Sequence, residues 1–287
     1  MLTDAQAIRP TVSSTYAGRV DPDAVAAFAL AANDPNPAYL AGEAVPPLYT
    51  ACLVGAAQNE AQELSGSLAA VTGWRATVHG EHDMYFWDPV RPGMDLRWTA
   101  VTHSVRQKST GVVVVQRITL TDTSGDRLVE HYWSDFFIGG RVASELGPDP
   151  ADGGVPASDQ SAPAGSRTIR VDRDQAYRYA GVSGDHAGHA IDDAIARSEG
   201  YPGKILQGMC TFSLVSAALV DLLADGDPYR FRRLAVRFAA PGFPSREIQV
   251  STYESGSTAD GGRSFGFDAK QSGRTVLSRG RVELLAG

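Results

Sequence analysis

Residues 207–225 read QGMCTFSLVSAALVDLLAD and are apolar on nearly every side of the helix that they predict. Such a helix has no polar face to present to water, so other structure must enclose it. The segments that follow, among them REIQVSTYE at 246–254, are of β type, as expected for strands of a half-buried sheet. The sequence therefore predicts a long helix wrapped by an antiparallel sheet.

The first half of the chain has the same order of elements. Asp21-Pro22 favours a helix start, with Asp as the cap and Pro at the first helical position. A second long apolar helix is predicted over 46–64, PPLYTACLVGAAQNEAQEL, and a strand over 111–122, GVVVVQRITLTD. In the second half, Asp172 and Gln175 predict a capping pair at the start of the matching short helix.

Three landmarks recur at a nearly constant shift. Pro89 and Pro92 are followed by Pro241 and Pro244 after 152 residues, and Asp34 by Asp185 after 151. Repeated landmarks within one element order indicate duplication. We expect an α+β chain with an N-terminal repeat at 1–140, a Pro-, Gly- and Ser-rich linker at 141–165 and a C-terminal repeat at 166–287.

Composition excludes several classes of function. The 287 residues carry a net charge of −7 and their arginines are scattered, which speaks against a nucleic-acid partner. No apolar run is long enough to span a bilayer, and the N-terminus lacks the layout of a secretory signal. Cys52 and Cys210 predict two buried thiols rather than a disulfide framework. We expect a cytoplasmic protein.

Two motifs carry a family resemblance over nearly the whole chain. Ser183-Gly184-Asp185, then Asp192, and Gln207-Gly208-Met209-Cys210-Thr211 at the start of the central helix occur in this order. They resemble the S-G-D-x-N-P-x-H-x-D and H-G-M/L-C-T motifs of the MaoC-like, type-2 (R-specific) enoyl-CoA hydratase family in its double hot-dog form. The resemblance implies two repeats, each with a central helix wrapped by an antiparallel sheet.

The resemblance also implies a chemistry, the reversible hydration of a trans-2-enoyl thioester to an (R)-3-hydroxyacyl thioester. An Asp and a His hold the water in that scheme, as general acid–base groups. Asp185 takes the first role here, and the backbone N–H of Gly208 donates to the developing oxyanion. Ser183 and Gln207 join Gly208 in the expected substrate-binding set, with the Ser183 hydroxyl holding the loop rather than acting as a nucleophile. The substrate is an acyl-CoA or an acyl-carrier-protein thioester of fatty acid or polyketide metabolism, without redox cofactor or metal.

This sequence departs from the family motif where the second catalytic group belongs. The family His position is Ala190, the Pro is Gly188, and the His before the helix glycine is Gln207. In one interpretation His189 becomes the partner of Asp185, with His186 as its rival, because Gly188 frees the backbone to adopt positive φ. In a second, His189 points away, and the pocket binds thioesters or uses Asp185 alone. In a third, residues of 185–192 hold a metal.

The alternatives for function follow from these interpretations. One is a tailoring enzyme of secondary metabolism, a cyclase or isomerase that uses Asp185, and the other is a non-catalytic thioester-binding or partner subunit. In the first repeat, Tyr39 replaces the catalytic His after Asp34, so we expect this degenerate site to shape the acyl tunnel. The sequence leaves open whether the chain forms a homodimer.

Two further groups of residues are candidates for ligand binding. His79 and His82 lie three apart on a predicted strand and should point to opposite faces, which argues against a metal pair. Arg232, Arg233 and Arg237 either meet the phosphates of coenzyme A or form a solvated strand face.

Overall fold

The computed structural model describes residues 8–149 and 163–286. The strands are β1 (Tyr16–Arg19), β2 (Ala76–Phe86), β3 (Asp95–Lys108), β4 (Gly111–Thr121), β5 (Arg127–Ile138), β6 (Gly165–Ile169), β7 (Phe231–Phe238), β8 (Ile248–Ser257), β9 (Arg263–Gln271) and β10 (Arg274–Leu284). The α-helices are α1 (Pro22–Ala31), α2 (Pro37–Leu40), α3 (Gly55–Leu64), α4 (Ser67–Ala70), α5 (Gln175–Ser183), α6 (Gly188–Ile191), α7 (Asp193–Ser198) and α8 (Gly208–Ala224). Most of the linker predicted at 141–165 lies outside the described residues.

The strands repeat one topology. In the first half they are hydrogen-bonded in the order β1-β3-β4-β5-β2, and in the second half in the order β6-β8-β9-β10-β7, with every pair antiparallel within each set. Adding five to each strand number of the first order gives the second. The same topology in both halves agrees with the duplication inferred from the sequence.

The described residues cluster into two compact units. One contains residues 8–19, 54–89 and 94–149, and the other contains 20–53, 90–93 and 163–286. Helices α1 and α2 precede the first-half strands in sequence, yet they belong to the second unit. Each predicted site residue from 183 to 208 lies in this second unit as well.

The short helices begin at side-chain caps where the sequence supplies them. The Asp21 carboxylate accepts a hydrogen bond from the Asp23 N–H at 3.0 Å and caps α1, with Pro22 as its first residue, as predicted. Helix α5 begins at Gln175 behind Asp174, and no side chain caps it. The predicted pair forms in part, because Gln175 Oε1 accepts the Asp172 N–H at 3.4 Å while the Asp172 side chain caps nothing. The Gln175 amide also contacts the end of α1, where it donates to the Ala31 carbonyl and accepts from Asn33.

The two central helices differ in length. Helix α8 is continuous over 17 residues, twelve of them buried, which confirms the enclosed helix. The prediction of one helix over 46–64 is wrong, because a 3₁₀ turn at Tyr49–Cys52 precedes the ten-residue α3. In that turn the N–H groups of Ala51 and Leu53 donate three residues back, to Leu48 and Thr50, and so tighten the backbone.

None of the helices in 8–149 and 163–286 combines the length and apolar character that crossing a bilayer requires.

Candidate active site

A tight turn at the end of α5 places the carboxylate of Asp185. The helix ends at Gly184, whose φ of +72° is a conformation that glycine adopts without strain. The Asp185 N–H then donates to Ser183 Oγ at 3.2 Å, and Asp185 Oδ1 accepts the Ala187 N–H at 3.1 Å. The turn therefore holds the Asp185 carboxylate through Oδ1, while Oδ2 takes no part in the hydrogen bond to Ala187. The residue is exposed to solvent.

The first-half loop forms the same turn around Asp34. Its Oδ1 accepts the Asn36 N–H at 3.1 Å, as Asp185 does with Ala187. The surroundings differ, since Asp34 is buried and burial raises the pKa of its carboxyl to about 6. Tyr39, which replaces a catalytic His in this loop, is fully buried. The two turns match in backbone geometry and differ in access to solvent.

Gln207 connects the Asp185 turn to the start of α8. Its buried side-chain Nε2 donates to the Ala176 carbonyl at 3.2 Å and to the Asp185 carbonyl at 3.0 Å. These two acceptors fix which end of the amide is nitrogen, and Gln207 Oε1 is buried without a hydrogen-bond partner among the described residues. The side chain that replaces the family His thus joins the acidic turn to the helix N-terminus.

Gly208 is the first residue of α8, and it is exposed. N–H groups of a first helical turn have no acceptor within the helix and lie at the positive end of its dipole. A Cβ at this position would lie 3.3 Å from the ring of Phe238, so a side chain would crowd the entrance to the helix. The backbone here can donate to an incoming carbonyl oxygen.

The charge of Asp185 reaches the first turn of α8. Burial raises the pKa of the Cys210 thiol above its usual range, Arg178 opposes this shift, and the negative charge of Asp185 adds to it. Burial likewise raises the pKa of Cys52 to about 12, with a smaller contribution from Asp185. Both thiols are free and protonated, but Cys52 is only half-buried, which corrects part of the expectation.

His189 lies beside a different carboxylate. Its Nδ1 is 2.9 Å from Glu199 Oε2, and its ring makes an edge contact with Tyr201 at a centroid distance of 5.8 Å. The next residue, Ala190, is fully buried at the family His position. One residue along a helix rotates the side chain by about 100°, so a His at 189 points elsewhere than a His at 190.

Gly188 has a role other than the one expected. The φ angle of Gly188 is not positive, so the predicted left-handed backbone is wrong. A Cβ at Gly188 would instead lie 2.8 Å from Ile195 Cγ2. The glycine allows α6 to approach α7 closely. His186 is exposed, and its N–H donates to the Gly184 carbonyl at 3.1 Å.

The predicted site residues therefore fall into two groups. Asp185, Ser183 and Gln207 are joined by hydrogen bonds, and Gly208 follows Gln207 directly. His189 pairs instead with Glu199. No local pattern indicated Glu199, because it reaches His189 across helix α7 and the turn after it.

The acidic and imidazole groups of 185–192 do not converge on one point. Asp192 Oδ1 accepts the N–H groups of Ala194 and Ile195 at 2.6 and 3.0 Å and so caps α7, while His189 turns to Glu199. Within 8–149 and 163–286, no group of three His, Cys, Asp or Glu side chains could hold a metal ion.

Three histidines of the first unit form a hydrogen-bonded row. His82 Nδ1 lies 3.2 Å from His79 Nε2, and its Nε2 lies 3.0 Å from His131 Nδ1. The expectation that His79 and His82 face opposite ways is wrong, because a register shift between His79 and Glu81 in the β2–β5 pairing changes the alternation. Burial lowers the pKa of His79 and His131 to about 3, so all these rings are neutral at pH 7.

Arg233, one of the three arginines considered for phosphates, is buried and lies 3.7 Å from Glu283 Oε1. Arg233 therefore forms an ion pair between strands β7 and β10.

Comparison with known proteins finds relatives of this chain. Residues 157–269 match the model of the MaoC like domain. The chain is 28% identical over 211 residues to peroxisomal multifunctional enzyme type 2 of Drosophila melanogaster, covering 72% of this chain and 34% of that protein. It is also 28% identical over 219 residues to 3-hydroxyacyl-thioester dehydratase Y of Mycobacterium tuberculosis, covering 74% of each. The chain thus spans about a third of the multifunctional enzymes it matches.

Solved structures share the fold over the whole chain. A MaoC-like dehydratase from Phytophthora capsici superposes with a TM-score of 0.82 at 22% identity, covering 100% of both chains. A Mycobacterium tuberculosis protein with a double hotdog fold superposes with a TM-score of 0.61 at 13% identity, covering 96% of both. The α+β double hot-dog fold expected from the sequence is confirmed.

Proposed function

Because residues 157–269 match the MaoC like domain, we propose that this chain is a hydro-lyase that reversibly hydrates trans-2-enoyl thioesters to 3-hydroxyacyl thioesters. The observation that carries the proposal is one hydrogen bond, from the Gln207 side-chain amide to the Asp185 carbonyl. Gln207 directly precedes Gly208, so this bond joins the Asp185 turn to the start of α8. A proton acceptor and an oxyanion donor are thereby held at one helix N-terminus. The name of the matched Mycobacterium tuberculosis dehydratase supports the same reaction.

The reaction balances with Asp185 as both base and acid. Asp185 takes a proton from water as the water oxygen bonds to C3, and the C2=C3 electron pair moves onto the thioester carbonyl as an enolate. The Gly208 N–H donates to the enolate oxygen, where a fixed donor at a helix N-terminus is most effective. Asp185 then returns the proton to C2. Dehydration runs the same steps in reverse.

His189 and His186 stay predicted partners of Asp185. We expect His189 to contribute less than His186 to the proton transfer, because His189 Nδ1 is engaged by Glu199. His186 follows Asp185 directly and is exposed. We further propose that the first-repeat loop around Asp34 takes no part in the chemistry, since its carboxyl is buried.

The test replaces each carboxylate by the matching amide. Asn retains the oxygen that accepts the turn N–H and loses only the ability to take a proton. We expect Asp185→Asn to lower the rate of crotonyl-CoA hydration by about 100-fold or more, followed by loss of the enoyl absorbance. Asp34→Asn is the matched control and should hydrate at the parent rate. Equal rates for Asp185→Asn and the parent would exclude Asp185 as the acid–base group.

A second candidate function rests on the His189–Glu199 pair. If the imidazole is withdrawn from the site, Asp185 alone suits a proton transfer without water, such as an isomerisation by a tailoring enzyme. A parent chain that binds crotonyl-CoA, leaves it unhydrated and moves the double bond of a 3-enoyl thioester would establish this alternative. Binding without any turnover would identify a partner subunit. A cytoplasmic location and a homodimer are retained as proposals, beside relatives named peroxisomal.

A further inference from the structure

A cavity of about 630 Å³ lies within the second unit. It is lined by the loop at 33–35, by residues 167–170 at the end of β6, by Asp172 and by one side of α8. We call it the Asp34 cavity. Because no residue from 183 to 208 lines it, the Asp34 cavity is separate from the proposed active site.

The floor of the Asp34 cavity is apolar. Leu214, Ala217 and Ala218 follow one another at helical spacing and so share one side of α8. Leu214 and Ala218 are buried, and Ala217 is half-buried. The two alanines have no side chain beyond Cβ, so they leave space above the helix. The floor can therefore receive the apolar part of a small ligand.

The wall of the cavity at β6 consists of backbone as well as side chains. Residues 167–170 all line the cavity, although successive side chains of a strand point to opposite faces of its sheet. The cavity therefore runs along the edge of β6. Because β6 pairs with β8 and ends the strand order of the second half, its other edge has no strand partner among the described residues. Carbonyl groups at such an edge can accept hydrogen bonds from a ligand.

Both arginines of the Asp34 cavity already have acidic partners. The Arg167 guanidinium forms an ion pair with Asp221, and Arg170 Nε lies 3.1 Å from Asp172 Oδ1. Among residues 8–149 and 163–286, Asp34 by contrast forms no ion pair. The three carboxylates and two guanidinium groups that line the cavity thus leave one negative charge without a cation, and that charge belongs to Asp34.

Asp34 is also the most enclosed of these carboxylates, with 8% of its surface exposed. Burial raises the pKa of its carboxyl to about 6, and the Asn36 N–H opposes this shift. The charge of Asp221 raises the same pKa more than the charge of Arg167 lowers it. At pH 7 most of the Asp34 carboxyl is therefore ionised. A ligand cation would meet this charge where little water screens it, which strengthens their attraction.

We propose that the Asp34 cavity binds a primary ammonium ion that carries a short apolar body. The ammonium group donates hydrogen bonds to Asp34 Oδ2 and to backbone carbonyls at the edge of β6. The apolar body packs on the α8 floor. An anionic ligand would instead meet the unpaired charge of Asp34 and two arginines that are already neutralised. The inference does not depend on the proposed hydro-lyase function, because the cavity contains none of the residues assigned to that reaction.

The test measures the binding of n-butylammonium chloride to the full chain by NMR, from shifts of the backbone amide signals of β6 and α8. n-Butanol serves as the uncharged ligand with the same apolar body. We expect a Kd of about 1 mM for butylammonium and about tenfold weaker binding of butanol. Asp34→Asn should weaken butylammonium binding about tenfold, because Asn Oδ1 still accepts the turn N–H while the negative charge is lost.

A second variant and a control complete the test. Ala217→Leu fills the floor, leaves Asp34 in place and should also weaken butylammonium binding about tenfold. Asp185→Asn makes the same change in the matching but exposed turn, and it should retain the parent affinity for butylammonium.

Three results would overturn the proposal. Butylammonium could leave the amide signals of β6 and α8 in the parent unshifted, or butanol could bind the parent as tightly as butylammonium. Asp34→Asn could also retain the parent affinity. If Asp34→Asn does not fold, Ala217→Leu decides, because parent affinity in that variant would exclude the Asp34 cavity as the binding site.

Discussion

The row of histidines in the first unit should make the fold sensitive to mild acid. His82 and His131 are fully buried, and their ring nitrogens lie 3.0 Å apart. Burial holds the pKa of His131 at about 3 and that of His82 well below its usual value. Both rings are therefore neutral in the folded chain at any pH near neutrality. We therefore expect that lowering the pH destabilises the fold.

The direction of the pH effect on the unfolding free energy depends on which state of the chain binds protons. An unfolded histidine has a pKa of about 6.5, so below that pH the unfolded chain takes up protons that the folded chain excludes. The free energy of unfolding therefore falls as the pH decreases from about 6.5 toward 3. For His131 alone the loss between pH 7 and pH 5 is about 2 kcal/mol, and His82 contributes in the same direction.

Urea denaturation at pH 7 and pH 5, followed by tryptophan fluorescence, measures this loss. The variant His131→Asn should reduce the difference in unfolding free energy between the two pH values by about 2 kcal/mol, because the unfolded variant no longer binds a proton at this position. His186→Asn removes an exposed imidazole and should leave the difference unchanged. A parent chain equally stable at both pH values would refute the reasoning. Imidazole titration by NMR in the folded parent is a second check, and a His131 pKa near 6.5 would refute it too.

The remaining predictions concern the proposed site and a helix cap. Gly188→Ala should cost about 1–3 kcal/mol, because its Cβ would meet Ile195 Cγ2 at 2.8 Å, and adding Ile195→Ala should restore the stability measured by thermal unfolding. Gln207→Leu should destabilise by about 2 kcal/mol and lower kcat, since it leaves two carbonyls without their donor; parent kcat would contradict its role. Asp21→Ala should cost about 1 kcal/mol in urea unfolding through loss of the α1 cap, and no loss would contradict the cap.

The proposed site was predictable from the sequence where it depends on local backbone geometry. Asp34 and Asp185 each accept the N–H two residues ahead, a bond that any Asp in such a turn can form. Gly208 opens α8 because an apolar helical run begins there. Local patterns sufficed for these features because every atom involved lies within a few residues.

Side-chain direction was less accessible. Whether His189 faces Asp185 or Glu199 depends on how α6 is rotated, and that rotation depends on the close approach of Gly188 to Ile195. The contact between His79 and His82 likewise depends on a register shift in β2, which alternation alone does not indicate.

The sequence by itself determined the repeated order of helices and strands, the enclosed helix α8 and the acidic turn after α5, because hydrophobic period and capping chemistry act over short stretches of chain. Only the tertiary structure decided which carboxylate His189 meets, and only it brought Asp34, the edge of β6 and one side of α8 together around one cavity. The physical reason is that these groups are separated along the chain, and packing alone sets the distances between them.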